Sequence, residues 1–216
     1  MGGPPRPPKA LGEPVPRDHR SHLRRRRRGP AADVVAAYDF EGVRRIVDVG
    51  GGGGVLLEAI VRATPGLDGV LVDLPEAVQR ASHRFVAAGL DARVECRVGD
   101  FFASVPTGAD AYLLSRVIHD WDDADARRIL ACCRDAMAPH ARLLLVEALM
   151  PERAHDAPEA IRMDVHMLML LGARERTEAE YRRLLADSGL ALRRVVPTGS
   201  PTGLSVLEAT PAAPGR

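Results

Sequence analysis

The side chains best suited to chemistry are concentrated at a few points of this 216-residue chain. Asp48 and Val49 lead into five consecutive glycines, Gly50 to Gly54. Glycine permits positive φ and carries no Cβ, so a ligand can lie directly against such a backbone. Asp73, 23 residues beyond Gly50, sits where a carboxylate can accept two ribose hydroxyls, and Asp100 follows Gly99. His119 stands beside Asp120, and Glu147 and Glu175 lie downstream. A histidine of unperturbed pKa ~6.5 near carboxylates can take a proton from a hydroxyl at neutral pH. Each residue also has a plainer reading. The glycines can be a flexible turn, Asp120 can cap a helix starting near Asp122, Glu147 can be a strand-end surface residue, and Glu175 can be a cap or an ion-pair partner.

The elements that must position these residues alternate. Residues 45–49 read as a strand, 50–54 as a loop, and 55–63 as a helix with apolar residues at helical spacing. A second strand over 69–73 leads into a helix that Pro75 opens, where the missing N–H costs nothing. Residues 94–98, 111–117 and 142–147 read as three more strands, with the clearest helix over 123–137. Short helices are predicted over 34–38, 158–171 and 178–188, and the apolar runs 190–196 and 204–209 as an edge hairpin. This predicts an α/β fold: a mostly parallel, seven-stranded sheet with helices on both faces and a C-terminal antiparallel hairpin. Ligands of such sheets bind beyond the carboxyl ends of the strands, where Asp48, Asp73, Asp100 and His119 all fall.

Composition narrows the ligand. Residues 1–30 hold seven of the 17 prolines, nine of the 30 basic side chains and two of the 29 acidic ones. They read as a disordered, Pro/Arg-rich tail. The remainder has 21 basic and 27 acidic residues, a net charge of −6, which argues against a nucleic-acid partner. No apolar stretch reaches the roughly 20 residues that span a bilayer, and residues 1–30 lack the apolar core of a secretion signal. The three cysteines have neither zinc-site nor redox spacing, so the expectation is a cytoplasmic protein with no metal and no membrane partner. No Gly-Lys-Ser/Thr follows the glycines, which excludes a P-loop. A pyrophosphate favours a helix N-terminus without a neighbouring anion, whereas the ammonium and sulfonium of S-adenosyl-L-methionine favour a carboxylate such as Asp48. Asp73 suits either cofactor.

With the motifs in order, residues 31–209 resemble the plant and bacterial S-adenosylmethionine-dependent O-methyltransferases that modify phenols and other hydroxyls of secondary metabolites. The resemblance rests on Ala37-Tyr38-Asp39-Phe40, Asp48-Val49-Gly50-Gly51-Gly52-Gly53-Gly54, Val72-Asp73-Leu74-Pro75, Gly99-Asp100-Phe101-Phe102, His119-Asp120-Trp121, Leu145-Val146-Glu147 and Arg174-Glu175-Arg176-Thr177. It implies a Rossmann-like methyltransferase domain over 31–212. In that domain Asp48, Gly50, Gly52, Gly54, Asp73, Asp100 and Phe101 bind the cofactor, and His119 is the base, with Glu147 and Glu175 against it. Ser115 takes a cofactor position where plant relatives often carry lysine. Met167, on a stretch with Met163, His166 and Met169, and Asp120 are expected at the acceptor, a small hydroxylated aromatic molecule.

Family members are homodimers through a helical domain that precedes the Tyr-Asp-Phe segment, and residues 1–30 offer no replacement for it. The expectation is a chain that binds its cofactor but turns over poorly. A non-catalytic cofactor-binding fragment and a nicotinamide-dependent oxidoreductase are the alternatives; the latter leaves the His-Asp-Trp and Glu-Arg-Thr segments unexplained.

Overall fold

The computed structural model describes residues 29–150, 175–200 and 203–213. Most of the expected tail, the expected helix over 158–171 and the four residues Met163, His166, Met167 and Met169 lie outside them. Eight strands are present among the described residues: β1 (Arg45–Val49), β2 (Asp68–Asp73), β3 (Val94–Val98), β4 (Ala111–Ser115), β5 (Arg142–Met150), β6 (Arg176–Thr177), β7 (Leu190–Pro197) and β8 (Leu204–Pro211). Seven of them form one sheet in the order β3-β2-β1-β4-β5-β8-β7. The pairs among β1 to β5 are parallel, and β8 joins β5 and β7 antiparallel. The two-residue β6, where no strand is expected from the sequence, pairs in parallel with the far end of β5, Arg176 opposite Leu149.

Alternation along each strand builds two cores. Val47, Val49, Tyr112 and Leu114 point to one face, where α4 (Asp123–Ala136) and α5 (Glu178–Asp187) supply Ile129, Leu130, Tyr181 and Leu185. Ile46, Leu71, Leu113 and Leu144 point to the other, against Val34 of α1 (Pro30–Ala37), Leu57 and Ile60 of α2 (Val55–Ala63) and Phe85 of α3 (Pro75–Ala88). Strand-period patterning thus buries both faces, as a parallel sheet covered by helices requires. No helix among the described residues is long and apolar enough to cross a membrane.

Two local readings change. The fourth strand stops at Ser115 rather than 117, because Arg116 adopts a left-handed φ of 55°. The N–H groups of Val117 and Ile118 then turn inward to Glu147 Oε1, at 3.1 and 2.9 Å, instead of extending the ladder. Asp120 is not a helix cap: Asp122 caps α4, accepting from the N–H groups of Ala124 and Asp125 at 2.9 Å each. Asp120 lies instead in a single 3₁₀ turn, Ile118–Asp120.

Candidate active site

Between β1 and β4 the strand order reverses, and the loops leaving these two strands diverge to open a crevice. One wall is the glycine loop. Gly50, Gly52 and Gly54 have φ of 70°, 57° and 75°, which L side chains rarely adopt. The glycines differ in what they do. A Cβ on Gly50 would meet Val117 Cγ2 at 3.0 Å and Phe101 Cε1 at 3.4 Å, and one on Gly54 would meet the Phe85 ring at 2.5 Å, whereas Gly52 faces open space. Gly54 therefore serves close packing of α2 against α3, while Gly50 lets the loop approach the crevice.

Asp73 fastens the loop to the end of β2. Its Oδ2 accepts from the Gly52 N–H at 2.7 Å and its Oδ1 from the Leu74 N–H at 2.6 Å. Asp48 lies underneath: a Cβ on Gly51 would meet its Oδ2 at 2.5 Å. Asp48 is buried, and its Oδ1 has no hydrogen-bond partner among the described residues. Burial, reinforced by the negative charge of Asp73, pushes the Asp48 carboxyl up to about 7.

A cavity of about 380 Å³ opens at the crevice, walled by Gly50, Asp73, Leu74, Gly99 to Phe102, Arg116, Val117, Asp120 and Trp121. Of the residues expected at the cofactor, Gly50, Asp73, Asp100 and Phe101 line it, whereas Asp48, Gly52, Gly54 and Ser115 do not. Asp100 holds its own turn, Oδ1 accepting from the Phe102 N–H at 2.8 Å. Trp121 meets Phe101 and Phe102 edge to face, its centroid 4.8 Å from that of Phe102, while the two phenylalanine rings are tilted at 51° to each other; together they form an apolar floor. Arg116, Phe102 and Trp121 were not among the residues expected to bind. The aromatic pair was visible in the Gly-Asp-Phe-Phe and His-Asp-Trp segments. Arg116 carries no sequence signal, since a positive φ at arginine cannot be read from its type.

Behind Asp120 lies His119, only 3% exposed. Both ring nitrogens face carboxylates. Nε2 is 3.1 Å from Asp120 Oδ1, and Nδ1 is 3.2 Å from Glu147 Oε2 and 3.9 Å from Glu175 Oε1. Burial disfavours the imidazolium, but the Glu147 carboxylate at Nδ1 and the charge of Asp120 outweigh burial and Arg116, so the His119 pKa is raised. Glu147 is fully buried and its Oε1 is fixed by the two backbone N–H groups of the 117–118 turn. The expected cluster of His119, Glu147, Glu175 and Asp120 is therefore assembled, from β5, the 3₁₀ turn and the segment before β6. Such an arrangement can hold a histidine in one orientation and stabilise it when it accepts a proton.

The fold is that of a Rossmann-like methyltransferase. Residues 17–191 match the model of the O-methyltransferase domain family, and the chain belongs to that family. The phenazine O-methyltransferase of Lysobacter antibioticus is 47% identical over 178 residues, which are 82% of this chain and 51% of that protein. The mitomycin biosynthesis 6-O-methyltransferase of Streptomyces lavendulae is 44% identical over 79% of this chain and 48% of its own length. Among solved structures, a mitomycin 7-O-methyltransferase superposes with a TM-score of 0.79 at 42% identity, over 84% of this chain and 53% of that one. An O-methyltransferase from neocarzinostatin biosynthesis, solved with S-adenosylmethionine and 2-hydroxy-5-methyl naphthoic acid, gives a TM-score of 0.74 at 38% identity, over 85% and 52% of the two chains. The chain spans about half the length of these relatives. Membership of this family removes the nicotinamide-dependent oxidoreductase from consideration.

Proposed function

We infer that this chain carries the catalytic domain of an S-adenosylmethionine-dependent O-methyltransferase acting on a hydroxyl, phenolic in character, of a small aromatic metabolite. The observation that carries this reading is the pairing of His119, set between the buried Glu147 and the exposed Asp120, with a nucleoside-sized crevice whose wall is a glycine loop. The residues present fit the cofactor. Asp73 and Asp100 offer carboxylates to hydroxyl and amino groups, Phe101 offers an apolar face, and the Asp48 carboxyl, its Oδ1 without a partner among the described residues, lies beneath the loop, where a cationic ligand is favoured. Bound there, S-adenosylmethionine supplies an electrophilic methyl group on sulfur.

The rest is the work of the chain. A phenol is mostly protonated at pH 7, so the acceptor oxygen needs a base at the moment of attack. His119 Nε2 faces Asp120, which lines the cavity. The acceptor hydroxyl replaces Asp120 at Nε2, and His119 takes its proton. Glu147 and Glu175 at Nδ1 then stabilise the imidazolium. Phe102 and Trp121 hold a flat ring and keep water out, and this alignment is worth several kcal/mol. The three cysteines, all unpaired thiols, accord with action in the cytoplasm.

Calorimetry with S-adenosylmethionine, its demethylated product and NAD tests the cofactor, and His119→Ala tests the base. The variant is expected to bind the cofactor as the wild type does and to lose at least about a hundredfold in turnover of a phenolic acceptor. Binding of NAD alone would end the cofactor assignment, and wild-type turnover in His119→Ala would end the assignment of the base. A wild-type chain that binds cofactor and turns over no acceptor supports the binding-fragment alternative.

A further inference from the structure

The family motif Arg174-Glu175-Arg176-Thr177 contains a side chain that the chemistry above does not use. Arg176 is 1% exposed and is the largest fully buried side chain among the described residues. Its Nη1 donates to the Ile118 carbonyl at 3.0 Å and its Nη2 to the Trp121 carbonyl at 2.8 Å. Nε and Nη2 also donate to Asp123 Oδ1, at 3.1 and 2.9 Å. Ile118 and Trp121 are the residues on either side of the His119-Asp120 pair.

We propose that Arg176 is the positioning residue of the histidine site, its guanidinium clamping the two carbonyls that flank His119 and Asp120 and so fixing the imidazole against Glu147 and Glu175. This rests on the reading of His119 as the base. Filling space does not require an arginine, since an apolar side chain of similar volume avoids the desolvation of a buried charge. What a guanidinium adds is a rigid planar fork able to hold several acceptors in fixed directions. The acceptors are carbonyls of the one turn that carries the histidine, together with the first residue of α4. The topology reinforces the clamp: β6 pairs Arg176 with Leu149 of β5, two residues past Glu147. Glu175, the adjacent residue, reaches to 3.9 Å from His119 Nδ1. One short segment thus grips the histidine turn through its backbone and faces the ring with a carboxylate.

The test is Arg176→Lys, which keeps the charge and loses the fork, read first by the titration of His119 followed by NMR in the full chain without ligand. The groups facing that ring are Asp120 and Arg116 on its own loop, Glu147 on β5 and Glu175 before β6. Loosening the turn moves the ring away from Glu147, so the His119 pKa is expected to fall by about half a unit or more. The acid limb of the pH–rate profile should follow it downward. Turnover should drop roughly a hundredfold, as a misplacement near 1 Å produces, while cofactor affinity and acceptor KM stay within about twofold. An unchanged titration overturns the proposal, as does a loss shared equally by cofactor binding and turnover, which marks a role in folding alone. If the lysine variant does not fold, Asp123→Asn loosens the same guanidinium without touching either carbonyl. It should lower the His119 pKa in the same direction, and no shift there is equally fatal. The titration needs no turnover, so failure of the methyltransferase reading would show as absent cofactor binding or activity in the wild type and would not mimic failure of the clamp.

Discussion

Asp48 is a carboxyl held in an unfavourable state by the fold, and replacing it with asparagine isolates the size of that effect. Its pKa moves from 3.8 to about 7, chiefly through burial and secondarily through Asp73. A folded-state pKa above the unfolded value means that the native state binds the extra proton between these two limits. Stability from this group is therefore fully present below about pH 4 and is lost as pH rises through 7. A shift of about three units corresponds to about 4 kcal/mol at 1.36 kcal/mol per unit, a large part of the 5–15 kcal/mol that holds a typical domain together. The amide of the Asp48→Asn variant cannot ionise and is free of this pH-dependent loss. Urea unfolding of the ligand-free chain should show Asp48→Asn gaining on the wild type by about 2.5 kcal/mol more at pH 8 than at pH 5. The same linkage predicts that S-adenosylmethionine, a cation, binds more tightly to wild type as pH rises from 6 to 8, and that the variant loses this trend. Parallel stability profiles for the two proteins would refute the reasoning, because they would mean that Asp48 finds a partner or water that relieves its burial.

Three other substitutions address the glycine loop and the surroundings of His119. Gly54→Ala combines a φ of 75° with a Cβ 2.5 Å from the Phe85 ring, so urea unfolding should show a loss of about 2–4 kcal/mol. Gly52→Ala, with a φ of 57° and open space, should lose only about 1–2 kcal/mol. Glu147→Gln keeps an oxygen for the N–H groups of Val117 and Ile118 but removes the charge at His119 Nδ1. The acid limb of the pH–rate profile should move to lower pH, with turnover down at least about tenfold, and kinetics from pH 5 to 9 check both.

The division between what was legible in the residues and what was not follows a physical line. Strands β1, β2, β4, β5 and β8 announce themselves because each buries a continuous apolar run, and the edge strands β3 and β7, mostly outside the core, are marked by the turn residues that bound them. The crevice is legible from residue type: consecutive glycines permit a backbone of positive φ, and a carboxylate at a strand end is seldom buried without a partner. The residues that escaped are those whose role is set by backbone geometry or by a distant contact. Arg116 needs its left-handed φ to turn the chain inward to Glu147, and Asp122 rather than Asp120 caps α4 because the 3₁₀ turn takes up the intervening residues.

Arg176 is the sharpest case. By type it reads as a surface cation, since arginine is almost never fully buried unless paired, and β6 is too short to show any period. Only its neighbours Glu175 and Thr177, the latter the N-cap of α5 in a reciprocal pair with Glu180, mark the segment as structured. Yet four hydrogen bonds from this guanidinium converge on the turn of His119 and the residue that opens α4. His119 is thus flanked by Glu147 on the sheet and by Glu175 at the ring, and its turn is bonded by Arg176 through the backbone; two of these come from adjacent residues far downstream in the chain. A histidine that must meet an acceptor oxygen within a hydrogen-bond length gains more from such rigidity than from proximity to any one carboxylate. Substitutions in the 175–176 segment should therefore weaken turnover more than cofactor binding, and the reverse should hold for the glycine loop.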